Sequence, residues 1–350
     1  MKFKKMKKRK VGIIGATGYT GSELMRILIN HPDVEISLIT SESRAGEKFS
    51  DVHPFLEGIA DQELVSLNDI EGNEAELVFL ALPHGVSMDF VKRFEDKDFR
   101  IVDLSGDFRL DSAETYEEWY KKQHIFPEGF KDAVFGLPEL FRDEIKKAKL
   151  IANPGCFPTT AILGAAPLIK NDLADPSLII VDSKTGVTGA GIKSTPVNLY
   201  SNVNDNFKAY GLKKHRHTIE MQVILDQVSK VNTTIQFTPH LLPVDRGILS
   251  TIYVKPAGKI DEVALRGIYR RFYKDSPFVR MRSQIPAIKD VRGTNYCDLY
   301  TTYDERTDMI MVISVIDNLV KGAAGQAVQN MNIMFDLEEK RGLDQVPVNP

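Results

Sequence analysis

A glycine turn between a buried strand and a helix constrains this chain most. Val11-Gly12-Ile13-Ile14 is a short apolar run of the buried-strand type. It leads straight into Gly15-Ala16-Thr17-Gly18-Tyr19-Thr20-Gly21, and then into a helical pattern with Leu24, Ile27 and Leu28 on one face. A second strand, Val34 to Thr40, follows. Strand, glycine turn, helix and strand in that order begin a doubly wound α/β sheet. The glycines let the backbone approach a pyrophosphate, and the helix N-terminus offers N–H donors and a favourable dipole. The spacing is GxxGxxG rather than GxGxxG, so the context carries the reading as much as the motif. Gly15 through Gly21 are therefore expected to bind a dinucleotide.

The end of the second strand bears on which dinucleotide. An acid there holds the ribose 2′-hydroxyl of NAD. This chain offers Ser41, Glu42, Ser43 and Arg44. Hydroxyls and a guanidinium suit a 2′-phosphate, so Ser41, Ser43 and Arg44 point to NADP(H), with Glu42 the one opposing signal. Further strand-like runs recur at the rhythm of a doubly wound sheet. Leu77–Leu82 leads to Pro83-His84, Arg100–Leu104 leads to Ser105-Gly106-Asp107, and Leu150–Ala152 leads to a cysteine turn. Loops at these carboxyl ends are where such sheets bind ligands, which puts Pro83 and Ser105 beside the cofactor. His84 either neighbours the nicotinamide or caps the following helix.

The cysteine turn reads Asn153-Pro154-Gly155-Cys156, ahead of an apolar run from Ala161 to Ile169. Pro154 and Gly155 break the preceding strand, so Cys156 is expected at a helix N-terminus. Unpaired N–H groups there stabilise a thiolate and are expected to draw its pKa toward neutrality. A thiol nucleophile needs a base, and Lys213-Lys214-His215-Arg216-His217-Thr218-Ile219-Glu220 supplies one. If that segment is extended, His215 and His217 share a face, and one of them points at Cys156. A zinc pair lacks matching Cys or His ligands elsewhere, so no metal is expected. Arg109 and Arg246 are candidates to clamp a phosphate or carboxylate. We expect Arg109, Asn153, His215, Glu220 and Arg246 to contact substrate.

Leu178–Ser183 reads as a strand leading to a glycine-rich loop that contains Gly186 and Gly189, expected near the cofactor. Gly247–Val254, Tyr296–Tyr303 and Met309–Ile316 also read as strands. The last two flank a hairpin turn at Asp304–Thr307, and together these strands predict an α+β second domain. After them, Asp317-Asn318-Leu319-Val320-Lys321-Gly322 opens a helix whose small residues permit close approach. Asn318, Lys321 and Gly322 are expected at the cofactor. Val320, Ala324, Ala327, Val328, Met331 and Phe335 mark one apolar face of that helix. Cys297 reads as a packed strand thiol.

Composition removes other classes. The 350 residues suffice for two domains, and their net charge of −3 favours neither nucleic acid nor membrane. Lys2, Lys4, Lys5, Lys7, Lys8, Arg9 and Lys10 form one basic stretch, read as a solvated lead-in. No run is long enough to cross a bilayer, and the basic start is not followed by a secretory-type apolar region, so no secretory leader is expected. Two cysteines make no disulfide framework and suit a reducing cytoplasm.

Taken together, Gly15–Gly21, Asn153-Pro154-Gly155-Cys156, His215-Arg216-His217 and Asp317–Ala327 fall in an order that resembles the N-acetyl-gamma-glutamyl-phosphate reductases of arginine biosynthesis, within the semialdehyde dehydrogenase superfamily. The likeness covers nearly the whole chain. It implies a Rossmann-type domain over 1–155 and 318–350, whose C-terminal helix returns to it. It also implies a catalytic and dimerisation domain over 156–317, like that of glyceraldehyde-3-phosphate dehydrogenase. NADPH as reductant, an acyl phosphate substrate and a homodimer or homotetramer follow from the likeness, as do Cys156 as nucleophile and His217 as acid/base. Phe157 stands where the family commonly has Tyr, and Ile219 where it commonly has Pro. Sister enzymes, aspartate-semialdehyde dehydrogenase and the aminoadipyl-phosphate reductase of lysine synthesis, share the nucleophile and are the nearest alternatives. A cysteine hydrolase needs no nucleotide, and a non-catalytic NADP sensor needs no Cys and His pair.

Overall fold

A computed structural model describes residues 7–71 and 74–349. Lys2, Lys4 and Lys5 of the basic stretch lie outside the described residues. The chain opens with six strands: β1 (Arg9–Ile14), β2 (Val34–Ile39), β3 (Leu77–Leu80), β4 (Arg100–Asp103), β5 (Ala133–Phe135) and β6 (Leu150–Ala152). They form one sheet in the order β2-β1-β3-β4-β6-β5, and every pairing is parallel. All four residues of β3 and the last four of β1 are buried. That is the burial expected of strands covered on both faces, and it explains why these runs are continuously apolar rather than alternating.

Helices α1 (Tyr19–Leu28), α2 (Phe49–Val52), α3 (Ser87–Arg93), α4 (Ala113–Tyr120) and α5 (Pro138–Lys147) connect the strands. The strand order reverses between β1 and β3, so the loops after these two strands border a crevice at their carboxyl ends. The doubly wound reading is borne out.

Helix α6 (Cys156–Lys170) leads into the second half, and every residue from Phe157 to Ile169 is buried. Such all-round burial follows from its place against a second sheet, where Gly164 meets Ile252 so closely that a β-carbon would collide. Tyr269 and Tyr273 each donate a hydroxyl to α6, onto the carbonyls of Gly164 and Leu163, both at 2.5 Å. The second sheet comprises β7 (Ala174–Thr185), β8 (Lys208–Ala209), β9 (Ile235–Leu241), β10 (Ile248–Pro256), β11 (Val279–Met281), β12 (Cys297–Asp304) and β13 (Met309–Ile316). Its order is β11-β12-β13-β10-β7-β9-β8, and it is mixed, with β7–β9 and β11–β12 parallel. The hairpin expected at Asp304–Thr307 joins β12 to β13, and Cys297 is buried within β12. Helices α7 (Tyr200–Val203), α8 (His217–Ser229) and α9 (Glu262–Phe272) complete this half.

The chain then crosses back. A π-turn, Val320–Ala324, precedes α10 (Gly325–Met334), which is buried on every side rather than on one face. Two of its buried polar side chains are bonded to the first half. Asn330 donates to the Gly136 carbonyl at 2.8 Å, and Asn332 pairs with His31 at 3.0 Å. The same return segment buries Lys321, which the sequence assigns to the cofactor, inside the protein. Its ammonium is wholly buried on Glu139 and Gln329, both at 2.8 Å. Arg246 likewise leaves the substrate set: it reaches Glu23 of α1 at 2.7 Å and Asp317 at 3.6 Å. Burial pushes the Glu23 carboxyl up, but the bonds from Arg246 and Arg26 outweigh it and hold it below the usual range.

Candidate active site

Cys156 is the first residue of α6, and Gly155 before it is extended at φ −66° and ψ 154° with no side chain capping the helix. Strand β6 and this turn thus deliver the thiol to a helix N-terminus, as the sequence predicts. Two buried groups fix the turn. The Gly155 N–H donates to Glu220 Oε1 at 2.7 Å, and Arg109 lies 3.3 Å from Glu220 Oε2 while donating to the Leu104 carbonyl at 2.7 Å. Glu220 is completely buried. It therefore holds the cysteine turn instead of contacting substrate as the sequence led us to expect.

The two imidazoles arrive differently from the expected extended segment. His217 opens α8, and His215 lies in the turn before it, because the His217 N–H bonds back to His215 Nδ1 at 3.2 Å. Both rings nevertheless line the same cleft as the cysteine. Their centroids are 4.8 Å apart, and Phe157 packs on each, at 5.6 Å and 5.8 Å. A β-carbon at Gly155 would stand 2.5 Å from His217 Nε2 and 2.9 Å from an Arg109 nitrogen, so glycine is what lets the imidazole reach over the turn. Beneath, a β-carbon at Gly322 would stand 2.8 Å from Cys156 Cβ, and Asn153 donates to the Ala323 carbonyl at 3.2 Å. The returning π-turn is the floor of the site.

Burial sets the ionisation. It pushes the Cys156 thiol up to about 11, against the opposing pull of the Phe157 N–H and Arg109. The expected shift toward neutrality is therefore overturned: the helix terminus lowers the pKa, but desolvation of the sulfur is the larger effect. Burial also holds His217 well below the ordinary histidine range, reinforced by His215 and Arg109, and it holds His215 at about 4 with help from Arg216. At neutral pH the thiol and the imidazoles that share its cleft are uncharged.

These groups line one cleft of about 620 Å³ between the two halves. Cys156, His217, His215, Arg109 and Asn153 line it together with Gly18, Tyr19, Thr20, Pro83 and His84. Gly189, Asn318 and Gly322, which the sequence assigns to the cofactor, border it. Asn318 bridges the Gly247 N–H at 2.8 Å and the Thr188 hydroxyl at 3.0 Å. Two expected cofactor residues are structural instead. Ser105 is buried with its hydroxyl on Asp103 at 2.7 Å, and Gly186 is packed where a β-carbon would stand 2.6 Å from the Asp245 carbonyl oxygen. Lining residues that escaped the sequence reading include two tyrosines and two cations, Tyr120, Tyr210, Lys214 and Arg216. The last two stood inside the His cluster and were legible as cations there. The two tyrosines carried no local signal.

The glycine turn fits a dinucleotide by its own geometry. Gly15 has φ +84°, Gly21 is packed against the Ala16 carbonyl, and Gly18 has nothing within 4 Å of where a β-carbon would be. The open position caps α1, whose first turn holds no acid and whose N-terminus no side chain caps. Free N–H groups and an approachable backbone are what a pyrophosphate requires. At the end of β2, Glu42 is turned away, accepting from the Leu67 N–H at 2.6 Å, whereas Arg44 is half exposed and pairs with Glu47 at 3.0 Å. Among the described residues, no group of three or more His, Cys, Asp or Glu could hold a metal ion. No helix there is long and apolar enough to cross a membrane.

Comparison with known proteins agrees with this arrangement. Residues 10–148 match the semialdehyde dehydrogenase NAD binding domain, and residues 156–318 match the semialdehyde dehydrogenase dimerisation domain. Among solved structures, aspartate semialdehyde dehydrogenase II of Vibrio cholerae superposes with a TM-score of 0.72 at 16% identity, over 94% of this chain and 99% of that one. The aspartate semialdehyde dehydrogenase of Candida albicans gives 0.71 at 18% identity, over 94% and 98%. These likenesses confirm the fold. Full-length relatives are much nearer in sequence. The N-acetyl-gamma-glutamyl-phosphate reductase of Pelotomaculum thermopropionicum is 50% identical over 95% of this chain and 97% of its own. That of Methanocaldococcus jannaschii is 48% identical over 98% and 100%. With a cysteine turn, a histidine pair and a glycine turn meeting in one cleft, the chain belongs to the N-acetyl-gamma-glutamyl-phosphate reductase family of the semialdehyde dehydrogenases.

Proposed function

We propose that the chain reduces N-acetyl-gamma-glutamyl phosphate to N-acetylglutamate 5-semialdehyde, with release of phosphate, in arginine biosynthesis. One observation carries this reading: the Cys156 sulfur, the His217 imidazole and the Arg109 guanidinium share a cleft with the glycine turn. The sulfur attacks the acyl carbon while His217 takes the thiol proton, and the C–O bond to phosphate breaks, its electron pair leaving on the phosphate oxygen, which takes a proton from solvent. A thioester on Cys156 results, which divides one difficult displacement into two easier steps. Bound NADPH supplies the hydride that reduces the thioester carbon. The thiohemiacetal oxyanion then expels the sulfur as its C–S bond breaks, His217 returns a proton to the sulfur, and the aldehyde departs. The pre-formed contacts of Glu220 and Arg109 hold the turn fixed throughout.

Gly15 to Gly21 and the N-terminus of α1 would hold the pyrophosphate, and Ser41, Ser43 and Arg44 the 2′-phosphate of NADP(H). The preference for NADPH over NADH is expected to fall about tenfold in Arg44→Ala, read from steady-state kcat/KM with each nucleotide. An unchanged ratio clears Arg44 of the role. We further propose the division 1–155 with 318–350 and 156–317, a homodimer or homotetramer, and a cytoplasmic setting. The second sheet supports self-association, since its outward residues Leu249, Tyr253, Tyr300, Met311 and Ile313 are large and only half buried. Cys156 and Cys297 are both unpaired, which suits a reducing compartment.

The test is the phosphorolytic reaction with NADP, inorganic phosphate and one semialdehyde at a time, followed at the nicotinamide absorbance. N-acetylglutamate semialdehyde is expected to be turned over at least about 100-fold more effectively than aspartate or aminoadipate semialdehyde. The opposite order assigns the chain to a sister activity.

A further inference from the structure

The loop after β3 carries an imidazole whose hydrogen is placed by the backbone. The Gly106 N–H donates to His84 Nδ1 at 2.7 Å. A backbone amide only donates, so Nδ1 is the acceptor and the ring hydrogen sits on Nε2. The ring is exposed on the cleft wall, edge-on to Tyr120 at 5.5 Å between centroids. Tyr120 in turn carries the Arg216 guanidinium over its face at 4.8 Å. The loop beneath is braced by Asp107, which accepts from the Gly85 N–H at 2.6 Å, the Met88 N–H at 3.1 Å and the Tyr116 hydroxyl at 3.1 Å. Desolvation by the surrounding protein, then the charges of Arg109 and Arg216, hold His84 below the usual histidine range. The wall therefore presents a fixed, uncharged donor flanked by two guanidiniums.

We propose that His84 is a further catalytic residue, whose Nε2–H donates a hydrogen bond to the phosphoryl group of the acyl phosphate that Arg109 and Arg216 attract. The proposal rests on the reductase reading and moves His84 from cofactor neighbour to substrate. When sulfur attacks, the acyl C–O bond breaks and its electron pair leaves on phosphate. His84 steadies that charge through a hydrogen bond and transfers no proton.

Two substitutions separate the two ring nitrogens. In His84→Asn the amide oxygen can keep the Gly106 bond, but no donor reaches the cleft. In His84→Gln the amide nitrogen extends to the Nε2 position. In the phosphorolytic direction, KM for inorganic phosphate is expected to rise about tenfold in His84→Asn and about threefold or less in His84→Gln, with KM for NADP and for semialdehyde within about twofold of the parent. A phosphate KM in His84→Asn equal to the parent's overturns the proposal, as does a rise confined to KM for NADP. In the unsubstituted chain, the His84 Nε2–H resonance is expected to shift on titration with inorganic phosphate, and an unmoved resonance overturns the proposal even where a variant fails to fold. A parent chain that oxidises none of the semialdehydes defeats the reductase reading instead, and the phosphate titration still decides on His84.

Discussion

Cys156→Ala is expected to lower turnover by more than about 10⁴-fold, in the range seen when a catalytic nucleophile is removed, while NADPH binds within about twofold of the parent. The separation follows from where the parts lie. The sulfur belongs to the turn before α6, whereas the dinucleotide site is built from the glycine turn between β1 and α1. Removing one sulfur disturbs neither that turn nor Glu220 and Arg109, because they bind the Gly155 N–H and the Leu104 carbonyl rather than the thiol. Without sulfur there is no thioester, and the carboxyl carbon is presented to the reductant only as the acyl phosphate. Nucleotide fluorescence titration and a steady-state assay on the same preparation check both halves of the expectation. Turnover within about tenfold of the parent removes Cys156 from the chemistry.

His217→Ala is expected to cost about 10² to 10⁴ in kcat/KM, the range of a general acid/base, and His215→Ala about tenfold or less. The two residues share a cleft and a neighbour in Phe157, but they differ in reach. His217 Nε2 lies over Gly155, next to the nucleophile, whereas His215 Nδ1 is committed to the His217 N–H. His215 thus shapes the start of α8, and a smaller residue there leaves the proton acceptor in place. Because burial keeps His217 well below the usual histidine range, its base form is present from mildly acid pH upward. The pH dependence should then follow the thiol: activity rises with pH as proton loss from Cys156, held up at about 11, becomes easier. Parallel kcat/KM profiles of the two variants decide the matter. A larger loss in His215→Ala exchanges the two roles.

What the amino-acid order made legible is what depends on near neighbours. The glycine turn, the cysteine at a helix start, the hairpin at Asp304–Thr307 and the parallel-sheet rhythm are all set within a few residues. Contacts across long sequence separations were not legible. Arg246 looked like a substrate clamp because a guanidinium can grip a phosphate or carboxylate, yet its partner Glu23 is 223 positions away. Lys321 sat in a stretch of small residues suited to a ligand, but Glu139 takes its charge from 182 positions off. Glu220 was visible three residues after His217, but not that its carboxylate would close on the Gly155 N–H. The thiol shows the same divide within one residue. Its helix terminus was readable, whereas its desolvation arises from Gly322 and the returning π-turn, which fold over it from the far end of the chain.

The central claim is that Cys156 becomes acylated. Acid-quenched protein, mixed with N-acetyl-gamma-glutamyl phosphate in the absence of NADPH and digested, tests it by peptide mass. The account predicts one N-acetylglutamyl group on the peptide carrying Cys156, removable by hydroxylamine. An unmodified Cys156 peptide, or the acyl group on any other residue, contradicts it.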